Sequence, residues 1–315
     1  MPLQIKADIK FFFSTLRNAF ILFQKNDPLR LAGATAFFTN FALPPILIIL
    51  IRLFGVFTDR RLLVTHIFER LRNILDDNSI AQIRLTLRNI RGINQEWYIT
   101  LFSFVFFLFV ATTLFNVIKN SLEQIWNIGL QEKKGIVNTL KSRAISFTII
   151  LLAGMLFLLG LLADSVQAII GSYLKTNSPS FELVATSIIN QIIFVFIVTA
   201  WFSILFRFLT NGRPTWRAAM SGGLLTGCLF TAGKYILRIL LPLSNISNIY
   251  GSAGSIIVIM LFVFYSSLIF YFGASFIKAL SIGRETPIIP KNGAFAYELT
   301  AIENEINSKK EAGNR

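Results

Sequence analysis

Seven polar residues stand within or at the ends of otherwise apolar stretches of this 315-residue chain: Asn40, Arg52, Asp164, Asn190, Gln191, Lys234 and Arg238. Arg52 lies nineteen residues past Gly33, Asp164 twenty past Ala144 and Lys234 eighteen past Trp216. At ~1.5 Å per helical residue, each is about 27 to 30 Å along its segment. If those segments run in one direction, the three charges and Arg238 share one depth. Asp164 can then pair with one or more of the cations, pinning the helix ends or gating a cavity. The alternative is snorkelling, in which apolar stems lie in lipid and charged heads reach water, avoiding the ~2.5 to 3.5 kcal/mol expected at a bilayer centre. Asn40, Asn190 and Gln191 are uncharged. They either hydrogen-bond across helices, at about 0.6 kcal/mol each, or line a polar path.

Other chemistry has few residues to use. Cys228 is the single cysteine and His66 the single histidine, so neither an internal disulfide nor a His/Cys metal cluster forms. Neither HExxH nor GxSxG occurs, and Gly227 to Lys234 fails as a phosphate loop because Tyr235 follows the lysine. The expectation is a protein without enzymatic activity, catalytic residues, cofactor or metal.

The elements that position these groups follow from composition. Apolar residues make up 54% of the chain and charged residues 15%, which describes a polytopic membrane protein. A bilayer core of about 30 Å accepts each apolar run of ~20 residues as one helix. The expected fold is all-α: six transmembrane helices at about 33–57, 97–118, 144–163, 183–206, 216–238 and 254–277. Residues 1–285 form the membrane domain and 286–315 a polar, partly disordered cytoplasmic tail. No cleavable signal segment is evident at the amino terminus.

Residues 10–24 place Phe12, Leu16, Ala19, Phe20 and Phe23 opposite Lys10, Ser14, Arg17 and Asn18. Such a helix lies in the membrane interface or packs on the bundle. Pro44 and Pro45 predict a kink in the first span, either a hinge or a packing feature. Residues 58–96 read as an outer helical hairpin against the membrane. Its first helix carries Leu63, Ile67, Leu71 and Ile74, and the second opens with a capping box at Ser79 and Gln82. The face bearing Arg84, Arg88 and Arg91 either holds anionic headgroups or is solvated. In the fifth span Ala219, Gly223, Gly227 and Thr231 recur every four residues, a small ridge that lets a second helix approach. Pro44, Gly251, Gly254 and Gly273 are further candidate packing positions.

Charge sets orientation. Segments 1–32, 119–143, 207–217 and 278–315 hold five, five, three and six lysines and arginines, whereas 171–182 and 238–253 hold one each. Loop 58–96 holds seven with five acids, but long loops count less. Both termini are expected inside. The formal net charge of +14 then reflects orientation and attraction to anionic lipid headgroups, not nucleic acid.

Several short motifs in order resemble the YihY/BrkB membrane proteins. These are Ala34-Thr35-Ala36-Phe37-Phe38 before Pro44, Leu122-Glu123-Gln124-Ile125-Trp126-Asn127, and Arg213-Pro214 with Trp216-Arg217, Gly222-Gly223 and Lys234. Tyr250-Gly251-Ser252-Ala253-Gly254-Ser255 and Phe272-Gly273-Ala274 complete the match, over about residues 10–285. The family commonly carries Glu after the last Gly-Ala, where this chain has Ser275. The resemblance implies a six-helix protein of the bacterial cytoplasmic (inner) membrane with a poorly defined activity, an old ribonuclease label and a proposed virulence or serum-resistance role. Nothing in this sequence supports a nuclease, which needs a metal site or an acid/base pair open to water. The leading expectation is a carrier or flippase-like protein for an amphiphile or small solute. Its rival is a non-transporting scaffold binding anionic lipid or a protein partner.

Overall fold

The computed structural model describes residues 2–54, 64–65, 67–69, 72, 77–91, 97–130, 179–243, 250, 254–291 and 293–298. Within these the chain is mainly helical. The elements are α1 (Pro2–Lys25), α2 (Pro28–Phe54), α3 (Asp77–Arg91), α4 (Trp97–Trp126), β1 (Ile128–Leu130), α5 (Pro179–Phe208), β2 (Gly212–Arg213), α6 (Trp216–Leu243), α7 (Gly254–Gly283), β3 (Ile289–Pro290) and β4 (Ala294–Ala296). The expected span 144–163, with Asp164, lies outside the described residues, as does Gly251.

Helices α2, α4, α5, α6 and α7 have 27, 30, 30, 28 and 30 residues. At ~1.5 Å per residue these are about 40 to 45 Å long, more than a ~30 Å hydrocarbon core requires. Among the described residues, Gln191–Phe208 and Ile256–Gly283 are long and apolar enough to cross a membrane by that criterion. The helices outrun the expected apolar runs because their ends are set locally. After α4 and α7 come Asn127 and Glu285 with φ of 56° and 52°, left-handed residues that end each helix beyond its apolar run. Helix α2 continues through Pro44, which is half-buried, and Pro45.

Helix α7 is central, packing on α1, α2, α4, α6 and α3, while α5 and α6 form the tightest pair. Its aromatic side chains explain the position: Phe270 stacks on Phe206 of α5 at 4.8 Å and 8° between planes, and Phe272 meets Phe23 of α1 edge-on at 5.6 Å. Small residues on α6 allow both of its contacts. A Cβ on Gly223 would stand 2.8 Å from the Thr199 carbonyl of α5, and one on Gly222 would run into Ile277 of α7. Gly227 continues the α5 side against Thr199, Ala219 is buried one turn before Gly223, and Gly273 of α7 returns the contact under Thr226.

Two expectations change. The apolar face of α3 does not lie against lipid: Ile80, Ile83 and Leu87 are buried with Val258 and Ile259 of α7, over Leu43 and Leu47 of α2. Helical periodicity reports a face to be covered without saying by what, and here protein covers it. The helix also begins at Asp77, two residues before the expected cap. The second change is at the carboxyl end, where residues 289–290 and 294–296 pair with the connections of the bundle. Strand β3 runs antiparallel to β2, with Arg213 opposite Ile289, and β4 antiparallel to β1, with Gly129 opposite Phe295. Strands of two or three residues carry no alternating pattern, so an all-helical reading misses them.

Helix α1 packs on α7 through Phe11, Phe12 and Phe23 and buries Thr15 and Ala19, while Phe13 and Phe20 stay exposed with Lys10 and Arg17. It is thus a bundle helix on one side and free on the other.

Candidate functional site

Polar side chains gather where α4, α5 and α7 end and α6 begins. Helix α4 carries Lys119 and Glu123 one turn apart, just past the apolar run that closes at Ile118. Both side chains are more than nine-tenths buried, with ammonium and carboxylate 4.0 Å apart. Glu123 Oε1 also accepts two hydrogen bonds from Asn211, from its backbone N–H at 3.0 Å and its side-chain amide at 2.8 Å. The α5–α6 connection is thereby held to the end of α4.

The β3 segment reaches the same place. Lys291 donates from its backbone N–H to the Asn211 carbonyl at 2.7 Å and from its ammonium to the Thr210 carbonyl at 2.6 Å. The Thr210 hydroxyl in turn donates to the Gly212 carbonyl, closing the loop on itself. Arg207 donates to the Pro214 carbonyl, with its guanidinium 5.3 Å over Trp216. Burial pushes the Glu123 carboxyl above its ordinary range, against the lowering pull of the Asn211 donors and the Lys119 and Lys291 ammoniums. Burial, then Arg213 and Lys119, lower Lys291, with Glu123 pulling the other way.

Beside this cluster the helices are tied by further polar contacts. Trp126 donates its indole N–H to the Ala274 carbonyl at 3.0 Å, and Lys278 donates back to the Trp126 carbonyl at 2.8 Å, where α4 ends. The Tyr271 and Thr35 hydroxyls share a 2.6 Å hydrogen bond, joining α7 to α2 in the buried interior. Ser275 is fully buried and turns its hydroxyl onto the Tyr271 carbonyl, so a neutral, internally satisfied group stands at this position. Arg30 and the Asn26 carbonyl meet Gln124, bringing the α1–α2 turn to the same end.

Of the residues singled out from sequence, the structure brings Gln191 and Lys234 into one neighbourhood on the α5–α6 pair. Gln191 accepts from the Tyr235 hydroxyl at 2.9 Å, and the Lys234 ammonium stands 4.0 Å over the Phe194 ring. Asn40 is half-buried on α2, which packs against α4 and α7. The Arg52, Asn190 and Arg238 side chains are outside the described set, although their backbones are helical. Gly254, at the start of α7, is buried. Sequence reasoning did not single out Glu123, Asn211 and Lys291 as site residues. The available signal was Lys119 four residues before Glu123, directly after an apolar run.

Comparison with known proteins places similar chains among membrane proteins. The model of the family described as Virulence factor BrkB matches residues 19–293. The chain is 28% identical over 191 residues to a UPF0761 membrane protein of Pseudomonas paraeruginosa, covering 60% of this chain and 44% of that one. It is 23% identical over 256 residues to a UPF0761 membrane protein of Pelodictyon phaeoclathratiforme, covering 79% and 56%. A Chlorobium phaeobacteroides UPF0761 membrane protein is 25% identical over 256 residues, covering 79% and 53%. The chain spans about half the length of the curated relatives it matches. No solved structure matches it.

Proposed function

The chain belongs to the Virulence factor BrkB family and is a membrane protein, and on that premise we propose a six-span carrier of the bacterial cytoplasmic membrane that moves an amphiphile. The observation that carries this reading is the gathering of distant basic segments at one end. Segment 1–32 contributes Asn26 and Arg30, 119–143 Lys119 and Glu123, 207–217 Arg207 to Trp216, and 278–315 Lys278 and Lys291. These are the four segments whose lysines and arginines place them inside by the positive-inside rule. The sixth span is the apolar run 144–163, and both termini are cytoplasmic.

Carriage draws on what lies between the ends. Polar groups recur from Glu123 and Tyr271 at the inner end to Gln191 and Lys234 farther along α5 and α6, giving a charged or zwitterionic head successive partners. Exposed apolar faces, such as Ile192 and Phe196 on α5, suit its tail. No step of this reading requires bond chemistry, so the protein is proposed as a non-enzyme. The test is reconstitution in sealed vesicles with a headgroup-labelled lipid, following accessibility of the label to a quencher outside. Movement above protein-free vesicles is expected; equal rates reject carriage.

A second reading, a scaffold on anionic lipid, is favoured by one specific observation. Helix α1 leaves Phe13 63% and Phe20 51% exposed next to Lys10 and Arg17. A scaffold binds such vesicles and moves nothing.

A further inference from the structure

Positive charge is in excess at the inner end. Lys291 is bonded to the Thr210–Asn211 turn between Arg207 and Arg213, and its charge is opposed by Arg213, Lys119 and Arg207 and favoured by Glu123. That carboxylate is already engaged by Asn211 and faces Lys119. Lys291 uses one ammonium proton on Thr210, and Arg207 donates to Pro214. Arg213 is exposed and has no acidic partner among the described residues. An ammonium has three donors and a guanidinium five, so most of the donor capacity of Arg213, Arg207 and Lys291 is free for an anion.

Four cations collected around one carboxylate repel each other unless a multiply charged anion enters. The chemistry that matches is a phosphate group, whose oxygens take guanidinium forks and ammonium donors together. A carboxylate, planar and singly charged, balances less of the cluster. The backbone that carries the donors is held in place beforehand. Arg213 belongs to β2, paired with β3, and the Lys291 backbone is bonded to Asn211 next to it. Trp216, exposed and edge-on to Phe208 at 5.7 Å, is an aromatic of the type enriched among headgroups at membrane interfaces.

We propose that Arg213 and Lys291, backed by Arg207, form a binding site for a phosphate group at the inner end of the bundle. The phosphate is carried either by a lipid headgroup or by a soluble phosphorylated compound. The site concerns binding alone and stands whether or not the chain moves its ligand.

The test is equilibrium binding to the full chain in neutral detergent, using short-chain phosphatidic acid, phosphatidylcholine of the same chain length, and inorganic phosphate. Saturable phosphatidic acid binding is expected, about tenfold or more tighter than phosphatidylcholine, and weakened about tenfold by Arg213→Gln or Lys291→Gln. Lys291→Arg keeps the charge and retains binding. Competition by inorganic phosphate at comparable concentration assigns a soluble source; phosphatidic acid binding that inorganic phosphate does not displace assigns the lipid. Circular dichroism on each variant establishes folding. Folded Arg213→Gln and Lys291→Gln proteins that bind all three probes as wild type does overturn the site.

Discussion

Asn211 donates twice to a single oxygen of Glu123, from its backbone at 3.0 Å and from its side chain at 2.8 Å, across 88 residues of sequence. The carboxylate closes the α5–α6 connection onto the end of α4 and leaves Lys119 a buried partner 4.0 Å away. Removing one member of such a set is costly because the others remain buried.

Glu123→Ala therefore strands the Asn211 donors and the Lys119 ammonium together. A loss of about 3 to 5 kcal/mol is expected, read as a fall in thermal midpoint in detergent, whereas Glu123→Gln keeps the acceptor and loses less. The pH dependence has a definite sign. Burial raises the folded carboxyl above 4.5, so between that pH and the folded value the folded state holds the proton that the unfolded state has released. The contribution of Glu123 is fully present below pH 4.5 and is lost as pH rises through the folded value. Wild type should lose stability relative to Glu123→Gln over that rise; parallel curves for the two proteins would show that the carboxyl does not titrate this way.

The α5–α6 seam makes a separate prediction. At Gly223 an added methyl meets the Thr199 carbonyl at 2.8 Å, whereas at Gly33 nothing lies within 4 Å. Gly223→Ala should destabilise by roughly 1 to 3 kcal/mol through overpacking, outweighing the helix propensity it gains. Gly33→Ala gains that propensity without the clash and should be neutral or slightly stabilising. Thermal unfolding of the pair in one detergent compares them.

These cases show which parts of the molecule were legible from sequence. Long apolar runs announced α2, α4, α5, α6 and α7, and the four-residue spacing of Ala219, Gly223 and Gly227 announced a close helix neighbour without saying which, because both are local patterns. The inner-end cluster was not legible. Its bonds join Glu123 to Asn211, Lys291 to Thr210 and Lys278 to Trp126 across 88, 81 and 152 residues, and no periodicity encodes such meetings. The ladders β1–β4 and β2–β3 are too short to leave a pattern. The direction of the α3 apolar face was illegible for another reason: lipid and protein satisfy it equally.

The carboxyl segment is expected to protect the connections it pairs with. Arg213 sits opposite Ile289, and the Lys291 backbone N–H is bonded to Asn211. Deleting residues 286–315 exposes the partners in β1 and β2. Amide hydrogen exchange should accelerate at 128–130 and 211–213 while the middle of α7 remains protected. Unchanged exchange at 211–213 would show that the ladder contributes no protection.

Lys234 and Gln191 test the route. If an amphiphile's head passes along α5 and α6, Lys234→Met and Gln191→Leu should each slow vesicle transport while the protein remains folded. Phe194→Leu removes the ring under the ammonium, at a cost of about 0.5 to 1 kcal/mol, and separates the cation–π contact from a contribution to passage. Wild-type rates in both polar variants would place the route elsewhere.

Topology decides whether the inner end faces the cytoplasm. Segments 119–143 and 207–217 carry five and three lysines and arginines, and both contribute to the Glu123 cluster. Cytoplasm-reporting fusions after Leu130 should be active, and those after Leu85, Thr176 and Ile246 silent, with an exterior reporter giving the reverse. The Leu130 result carries the most weight, because Gly129 and Leu130 pair with Phe295 and Ala294 of the carboxyl segment. Whatever side one occupies, the other must share. An exterior signal after Leu130 would turn the whole bundle over, placing Lys119, Arg213 and Lys291 outside against the charge rule and leaving the carrier reading without its supporting observation.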